Sequence, residues 1–172
     1  MKKILSLTMA LATIGTALTG CGSKDAAAKT PTAPIPAEST QQTAPVRQEQ
    51  SQTEKALALI NTFATGDTDT ARSLLSDGYI QHNLAYGTGA DAFIGSVEYL
   101  ASADVKTTVN NIRAFEDGDK VFLQTIYNFA GAGEQVAFDI FRFDEDGKIA
   151  EHWDVMETIA DQSTWQNQNG KF

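Results

Sequence analysis

The chain has 172 residues, with 22 Asp and Glu against 13 Lys and Arg, which gives a formal net charge of −9 at pH 7. This acidic balance argues against nucleic acids and anionic lipid headgroups as partners, because both are bound by basic surfaces. A single cysteine excludes an internal disulfide.

A lipoprotein signal peptide is predicted over residues 1–20. A short basic start precedes an apolar run over residues 4–17, which has signal-peptide length and is too short for a good membrane span. The Leu-Thr-Gly-Cys sequence that ends at Cys21 resembles the lipobox of bacterial lipoproteins. The resemblance implies a lipid on Cys21 and an anchored, extracytoplasmic protein of the cell envelope. Gly22 favours the outer membrane if the cell has two membranes. The alternative is an ordinary secretory signal with an incidental cysteine.

Residues 21–53 are predicted to form a flexible tether. The segment is rich in Ala, Pro, Thr, Ser and Gln, and it holds all 4 prolines of the chain. Without apolar periodicity it cannot bury enough surface to offset the entropy of ordering it. Residues 54–172 are long enough to form a single domain with one core. Their 19 acidic and 8 basic side chains give a formal charge of −11.

Three amphipathic helices are predicted to open the domain, because their apolar residues recur at helical spacing. They cover residues 55–64, 67–75 and 90–100. A short extended piece and a glycine loop lie between the second and third helices. The loop lacks the lysine and the spacing of a phosphate-binding loop, so it is interpreted as a turn.

Four strands are predicted to follow, over residues 105–115, 120–130, 135–143 and 148–159. Three short links that contain glycine and acidic residues separate them, which favours hairpins and an antiparallel meander. Helices followed by a meander indicate an α+β fold. Alternation divides each strand into two faces, but the pattern alone does not fix which face is the inner one, since a bulge would exchange them.

His152 and Asp154 lie two residues apart on the last predicted strand, so their side chains share a face. An Asp beside a His can act as a general base or can hold the imidazole in one tautomer. The alternative is a solvent-facing edge pair. Trp153 points the other way and is predicted to anchor the core.

A second polar cluster, Gln81-His82-Asn83, ends the extended piece beside the glycine loop, where functional groups are common. The alternative is a surface or cap-forming cluster. Two histidines and a carboxylate (His82, His152 and Asp154) are also a recognised ligand set for iron or zinc. No spacing of the histidines supports a metal site, which is therefore a minor alternative, and no metal or other cofactor is predicted. Nucleophilic catalysis is not predicted either, because no Gly-x-Ser-x-Gly motif is present.

Two motifs together resemble the SnoaL-like polyketide cyclase group of the nuclear transport factor 2-like superfamily, whose distant relatives include ketosteroid isomerase and scytalone dehydratase. The motifs are Tyr79-Ile80-Gln81-His82-Asn83 and residues 138–155. The resemblance covers nearly all of residues 54–172. It implies a cone-shaped fold, with a curved antiparallel sheet wrapped around a pocket that about three helices close. It also implies cofactor-independent proton transfer on a carbonyl compound, such as an aldol cyclisation or isomerisation.

The resemblance also implies the residues of the site. Asp154 would be the base, His152 its partner, and His82 a second acid/base group or a donor to a developing oxyanion. The expected pocket residues are Tyr79, Gln81, Asn83, Tyr127 and Phe138. Leu84 stands where many relatives have Pro, so the pocket rim and the substrate are expected to differ from theirs.

Two further expectations follow from the resemblance. Relatives of this fold often dimerise through the sheet, so a homodimer is expected. Many pockets of the superfamily bind without catalysing, so the alternative function is a non-catalytic module that holds a small apolar ligand or a partner protein.

Overall fold

The computed structural model describes residues 49–172. The predicted signal peptide, the lipidation site at Cys21 and most of the tether lie outside the described residues. The described part of the chain contains helices α1 (Gln52–Thr65), α2 (Thr68–Leu74) and α3 (Ala90–Ser102), and strands β1 (Leu75–Gln81), β2 (Thr108–Asp117), β3 (Lys120–Asn128), β4 (Gln135–Phe143) and β5 (Ile149–Thr158). Within this part, every helix is too short or too polar to cross a membrane.

Helix α1 has clear signals at both ends. The Ser51 hydroxyl accepts from the backbone N–H of Glu54 while the Glu54 carboxylate accepts from the N–H of Ser51, which makes a capping box. The helix therefore starts ahead of residue 54. It ends at Gly66, whose φ of 74° is left-handed. A Cβ on Gly66 would lie 2.8 Å from the Cβ of Ala101, so this glycine also permits the close packing of α1 on α3.

The strands form a five-stranded sheet of order β1-β5-β4-β3-β2. Strands β2 to β5 make the predicted antiparallel meander. Strand β1, which was predicted only as a short extended piece, lies at the sheet edge and pairs in parallel with β5. The sheet is therefore mixed. Irregularities in register at Asn111/Arg113 and Arg142/Phe143 increase local bending.

The helices cover one face of the sheet, which is called here the inner face and carries Tyr127, Asp139 and His152. The opposite, outer face carries Phe122, Phe138 and Trp153. The core lies between the inner face and helices α1 and α3, and its fully buried side chains include Leu59, Val97, Val121, Leu123 and Phe141. This arrangement confirms the predicted α+β cone, with a curved, unclosed sheet. At one end the helices and the inner face separate and leave a cavity.

Candidate active site

The cavity has a volume of about 590 Å³ and a wall that is mostly apolar. Its aromatic lining includes Phe63, Tyr79, Phe93, Tyr99, Tyr127 and Phe129. Four polar side chains of the inner face meet at one end of it, and they are Gln81, Asp139, His152 and Asp154. The arrangement is typical of a small-molecule pocket in which a few polar groups orient the ligand.

Strand register brings these four polar groups together. Strand β4 pairs Asp139 with Asp154 and Phe141 with His152, and β1 pairs Gln81 with His152. Paired residues point to the same face of a sheet, and so do residues two apart along a strand. The Phe141 ring stacks on the imidazole, with 4.5 Å between ring centroids, and fixes its orientation.

Asp139 is the buried hub of a hydrogen-bond network. Its side chain accepts from the Tyr127 hydroxyl at 3.0 Å and is 3.1 Å from Nε2 of His152. Asp139 is only 3% exposed, and the two contacts provide the partners that a buried carboxylate requires.

Gln81 decides the tautomer of His152. The backbone N–H of Asn83 can only donate, and it lies 2.9 Å from Oε1 of Gln81, so the amide nitrogen Nε2 of Gln81 faces Nδ1 of His152 at 3.0 Å. Nδ1 must then accept, and the ring proton is on Nε2, which donates to Asp139. The network therefore holds His152 as a neutral donor, and its partner is Asp139 rather than the predicted Asp154.

Asp154 is the half-buried carboxylate of the cavity, whereas Asp139 is buried. Asn83 donates through Nδ2 to Oδ1 of Asp154 at 2.6 Å, and no hydrogen bond among the described residues occupies Oδ2. Burial raises the pKa of Asp154, and the charge of Asp139 adds to the rise, while the hydrogen bond from Asn83 opposes it. A carboxylate with a raised pKa and an open oxygen suits a general base.

Two tyrosines of the cavity remain hydrogen-bond donors. Burial, and then the charges of Asp154 and Asp139, raise the pKa of Tyr79. Burial and the charge of Asp154 raise the pKa of Tyr86 at the rim. The Tyr79 oxygen accepts from Gln81 at 3.4 Å, so its own proton is available to a ligand.

A metal fits this site poorly. Asp139, His152 and Asp154 offer ligand atoms within 4.8 Å of one another, a donor set that divalent cations use. However, Gln81 occupies Nδ1 of His152 and the proton is on Nε2, so the ring offers no lone pair. The set of His82, His152 and Asp154 is not brought together at all.

The structure corrects the predicted position of His82. Strand β1 pairs Gln81 with His152, so alternation sends the next side chain to the outer face. There the His82 ring stacks on Trp153, with 4.4 Å between ring centroids, and contacts Glu151 at 2.9 Å. His82 therefore shares no cavity with Asp154 and cannot act on a ligand bound there.

Two more predictions are corrected by the same alternation. Phe138 lies on the outer face, 41% exposed and stacked on Phe122, so it does not line the pocket. Trp153 is only partly buried on that face instead of anchoring the core. Tyr79, Gln81 and Tyr127 do line the cavity, and Asn83 reaches it through Asp154.

Asp139 was missed by the reasoning from sequence. The signal available was a lone acid inside the apolar segment of residues 136–143, since an acid at a buried position needs partners. Tyr86 and Met156 also line the cavity and had no comparable signal.

A cone of three helices over a curved sheet, with polar groups at one end of its cavity, defines the nuclear transport factor 2-like class of pocket proteins. The family model described as the SnoaL-like domain matches residues 56–152, more than half of the chain, so the chain belongs to that family. No curated protein matches the sequence.

Several solved structures share the fold. An NTF2-like protein of unknown function from Cytophaga hutchinsonii is similar at 16% identity and a TM-score of 0.55, over 64% of this chain and 94% of that one. An LEH-like epoxide hydrolase of M. tuberculosis is similar at 18% identity and a TM-score of 0.54, over 62% of this chain and 82% of that one. IdmH, a proposed polyketide cyclase from Streptomyces antibioticus, is similar at 18% identity and a TM-score of 0.51, over 63% of this chain and 93% of that one. At these identities the likeness establishes the fold.

Proposed function

We propose that this SnoaL-like domain is an acid/base enzyme that moves a proton on a small carbonyl compound, in an aldol cyclisation or an isomerisation, with Asp154 as the base. The observation that carries the proposal is the open oxygen of Asp154, which faces the cavity beside neutral hydrogen-bond donors. The polyketide cyclase and epoxide hydrolase among the structures of similar fold are compatible with a reactive pocket.

The chemistry follows from the placement of the groups. Oδ2 of Asp154 takes a proton from the carbon next to the carbonyl, so a C–H bond breaks and an O–H bond forms. The electron pair moves to the carbonyl oxygen, and the Tyr79 hydroxyl donates to that oxygen as its charge develops. In an isomerisation Asp154 then returns the proton to another carbon of the conjugated system. In an aldol cyclisation the carbon that lost the proton bonds to a second carbonyl carbon of the same molecule, and Asp154 gives the proton to the oxygen of that second carbonyl. Gln81, His152 and Asp139 act as positioning residues, because their polar atoms bind one another.

Deuterium exchange tests this proposal without knowledge of the natural substrate. A panel of cyclic and aromatic ketones is incubated with the protein in D₂O, and loss of the proton next to each carbonyl is followed by NMR. The wild type is expected to catalyse exchange, and Asp154→Asn is expected to slow it about 10²- to 10⁴-fold. His82→Gln is the matched control, since His82 lies on the outer face. Equal rates for wild type and Asp154→Asn contradict the proposal.

The second candidate function is non-catalytic binding of a small apolar molecule. It is favoured by the predominantly apolar and aromatic wall of the cavity, which can hold such a ligand without any chemistry. In that case neither the wild type nor Asp154→Asn exchanges deuterium, and both bind the same ligands in a thermal-shift screen.

We also propose that the domain works in the cell envelope, anchored by a lipid on Cys21. The support is the lipobox-like sequence and the proline-containing segment that separates it from α1. Substitution Cys21→Ser is expected to abolish incorporation of radiolabelled palmitate and to release the protein from the membrane fraction. Unchanged labelling of the Cys21→Ser protein would exclude this anchor.

A further inference from the structure

The cavity contains acidic groups that no basic residue compensates. Asp139 and Asp154 both line it, and the lining contains no Lys or Arg within residues 49–172. Arg142, on the strand next to β5, lies on the outer face and binds Glu151 there. Because Gln81 holds His152 as a neutral donor, the polar end of the cavity carries net negative charge.

The walls around this charge are aromatic. The rings of Phe63 and Phe93 lie 4.9 Å apart between centroids, and Phe129 stacks on Tyr127 at 4.9 Å. The Tyr79 ring meets Phe93 edge to face at 6.0 Å. Aromatic faces carry negative electrostatic potential and attract organic cations, most strongly where water is excluded.

These two features select among ligands by charge. An anionic ligand would meet two carboxylates and no basic group, so its own charge would be buried without a partner. A neutral ligand would displace water from Asp154, and only the hydrogen bonds of its own polar atoms would replace those of the water. A cation would neutralise the carboxylates and contact the aromatic faces at the same time.

We propose that the ligand of this pocket is an organic cation, an ammonium compound whose charged head lies against Asp154, with the buried charge of Asp139 behind it, and whose apolar body lies against the aromatic wall. The inference rests on the proposed function in one respect only, because it names the ligand class of the same pocket. For a carbonyl substrate, a positive charge elsewhere in the molecule would also offset the negative charge that develops on the carbonyl oxygen.

Three probes of nearly the same shape test the inference. Choline is a cation, 3,3-dimethyl-1-butanol is its neutral isostere, and 3,3-dimethylbutanoate is an anion of similar size. Their binding to the purified full chain is measured by isothermal titration calorimetry at constant ionic strength. Choline is expected to bind at least about tenfold more tightly than the neutral isostere, and the anion is expected to bind least.

Two variants separate the pocket from the general acidity of the domain. Asp154→Asn is expected to reduce the preference for choline at least about fivefold, because one carboxylate is lost from the polar end. Glu98→Gln removes the same charge from an exposed position on α3 outside the lining, and it is expected to keep the preference. An equal loss of the preference for choline in both variants overturns the inference, since it would show that the overall negative charge of the domain attracts choline.

The outcomes also separate this inference from the proposed function. If choline binds no more tightly than its neutral isostere, or if neither binds, the cation inference is wrong, whatever the exchange experiment gives. A clear preference for choline together with absent deuterium exchange upholds the inference and rejects the acid/base role of Asp154.

Discussion

The hydroxyl of Tyr127 is the most direct test of the buried network. Tyr127 is 2% exposed, and its O–H donates to a carboxylate that is itself buried. The Tyr127→Phe substitution removes this bond and keeps the ring, which stacks on Phe129 and meets Phe63 edge to face at 6.5 Å. The apolar packing should therefore be unchanged, and the loss should report the hydrogen bond.

A hydrogen bond to a charged group contributes about 1.5–3 kcal/mol to stability. The loss of stability is larger when a buried acceptor is left without a partner. We therefore expect Tyr127→Phe to lower the free energy of unfolding by about 1.5–3 kcal/mol. With a urea m-value of about 2 kcal/mol/M, the midpoint of unfolding should fall by about 1 M. Circular dichroism and tryptophan fluorescence should follow the same transition.

Tyr99→Phe is the matched control, because Tyr99 also lines the cavity but is 73% exposed. Its effect should stay within about 0.5 kcal/mol. Combined with Asp139→Asn, the Tyr127 substitution should show a coupling energy of about 0.5–3 kcal/mol, as expected for groups in contact. Losses of equal size at both tyrosines, or a zero coupling energy, would refute the hydrogen-bond network as drawn.

Three further predictions follow from the same structure. Since burial raises the pKa of Tyr79 and Tyr127, the unfolded chain loses these protons above about pH 10 while the folded chain keeps them, so stability should fall there by up to about 1.4 kcal/mol per pH unit for each tyrosine. Urea midpoints at pH 8 to 11 measure this, and Tyr79→Phe should flatten the slope. The raised pKa of Asp154 means that folding disfavours its charged form, so Asp154→Asn should stabilise the fold at pH 7, with the gain lost below the ordinary value of 3.8. Lower stability of this variant at pH 7 would contradict the assignment. Finally, we expect a homodimer through the outer face, where Phe115, Phe138 and Val155 are 60%, 41% and 72% exposed. Val155→Lys should weaken it at least about tenfold in analytical ultracentrifugation, and a monomeric wild type would exclude this interface.

The meander was predictable from sequence because its signals are local. Strand β4 has the predicted bounds, residues 135–143, because glycine-containing links flank a segment of strong β propensity. Period-two alternation also places His152 and Asp154 on one face, and both line the cavity. Helix α1 is bounded by a capping box and a left-handed glycine, which are again local signals.

The pairing of β1 was not predictable in the same way. Strand β1 joins β5 in parallel across about 70 residues of chain, and no turn between neighbouring segments sets its register. That register decides whether Gln81 or His82 faces the cavity. The family motif contains both residues, so the resemblance placed both in the pocket, although neighbouring residues of a strand point to opposite faces.

Gln81, which the sequence predicted only as a pocket residue, therefore sets the tautomer of His152. Its amide is oriented by the backbone of Asn83, and this orientation makes Nδ1 of His152 an acceptor and Nε2 a donor to Asp139. A neutral imidazole leaves the negative charge of the two carboxylates uncompensated, and Asp154 keeps one oxygen that no hydrogen bond among the described residues occupies. The proposed preference for a cation and the proposed role of Asp154 as base thus depend on the same hydrogen bond.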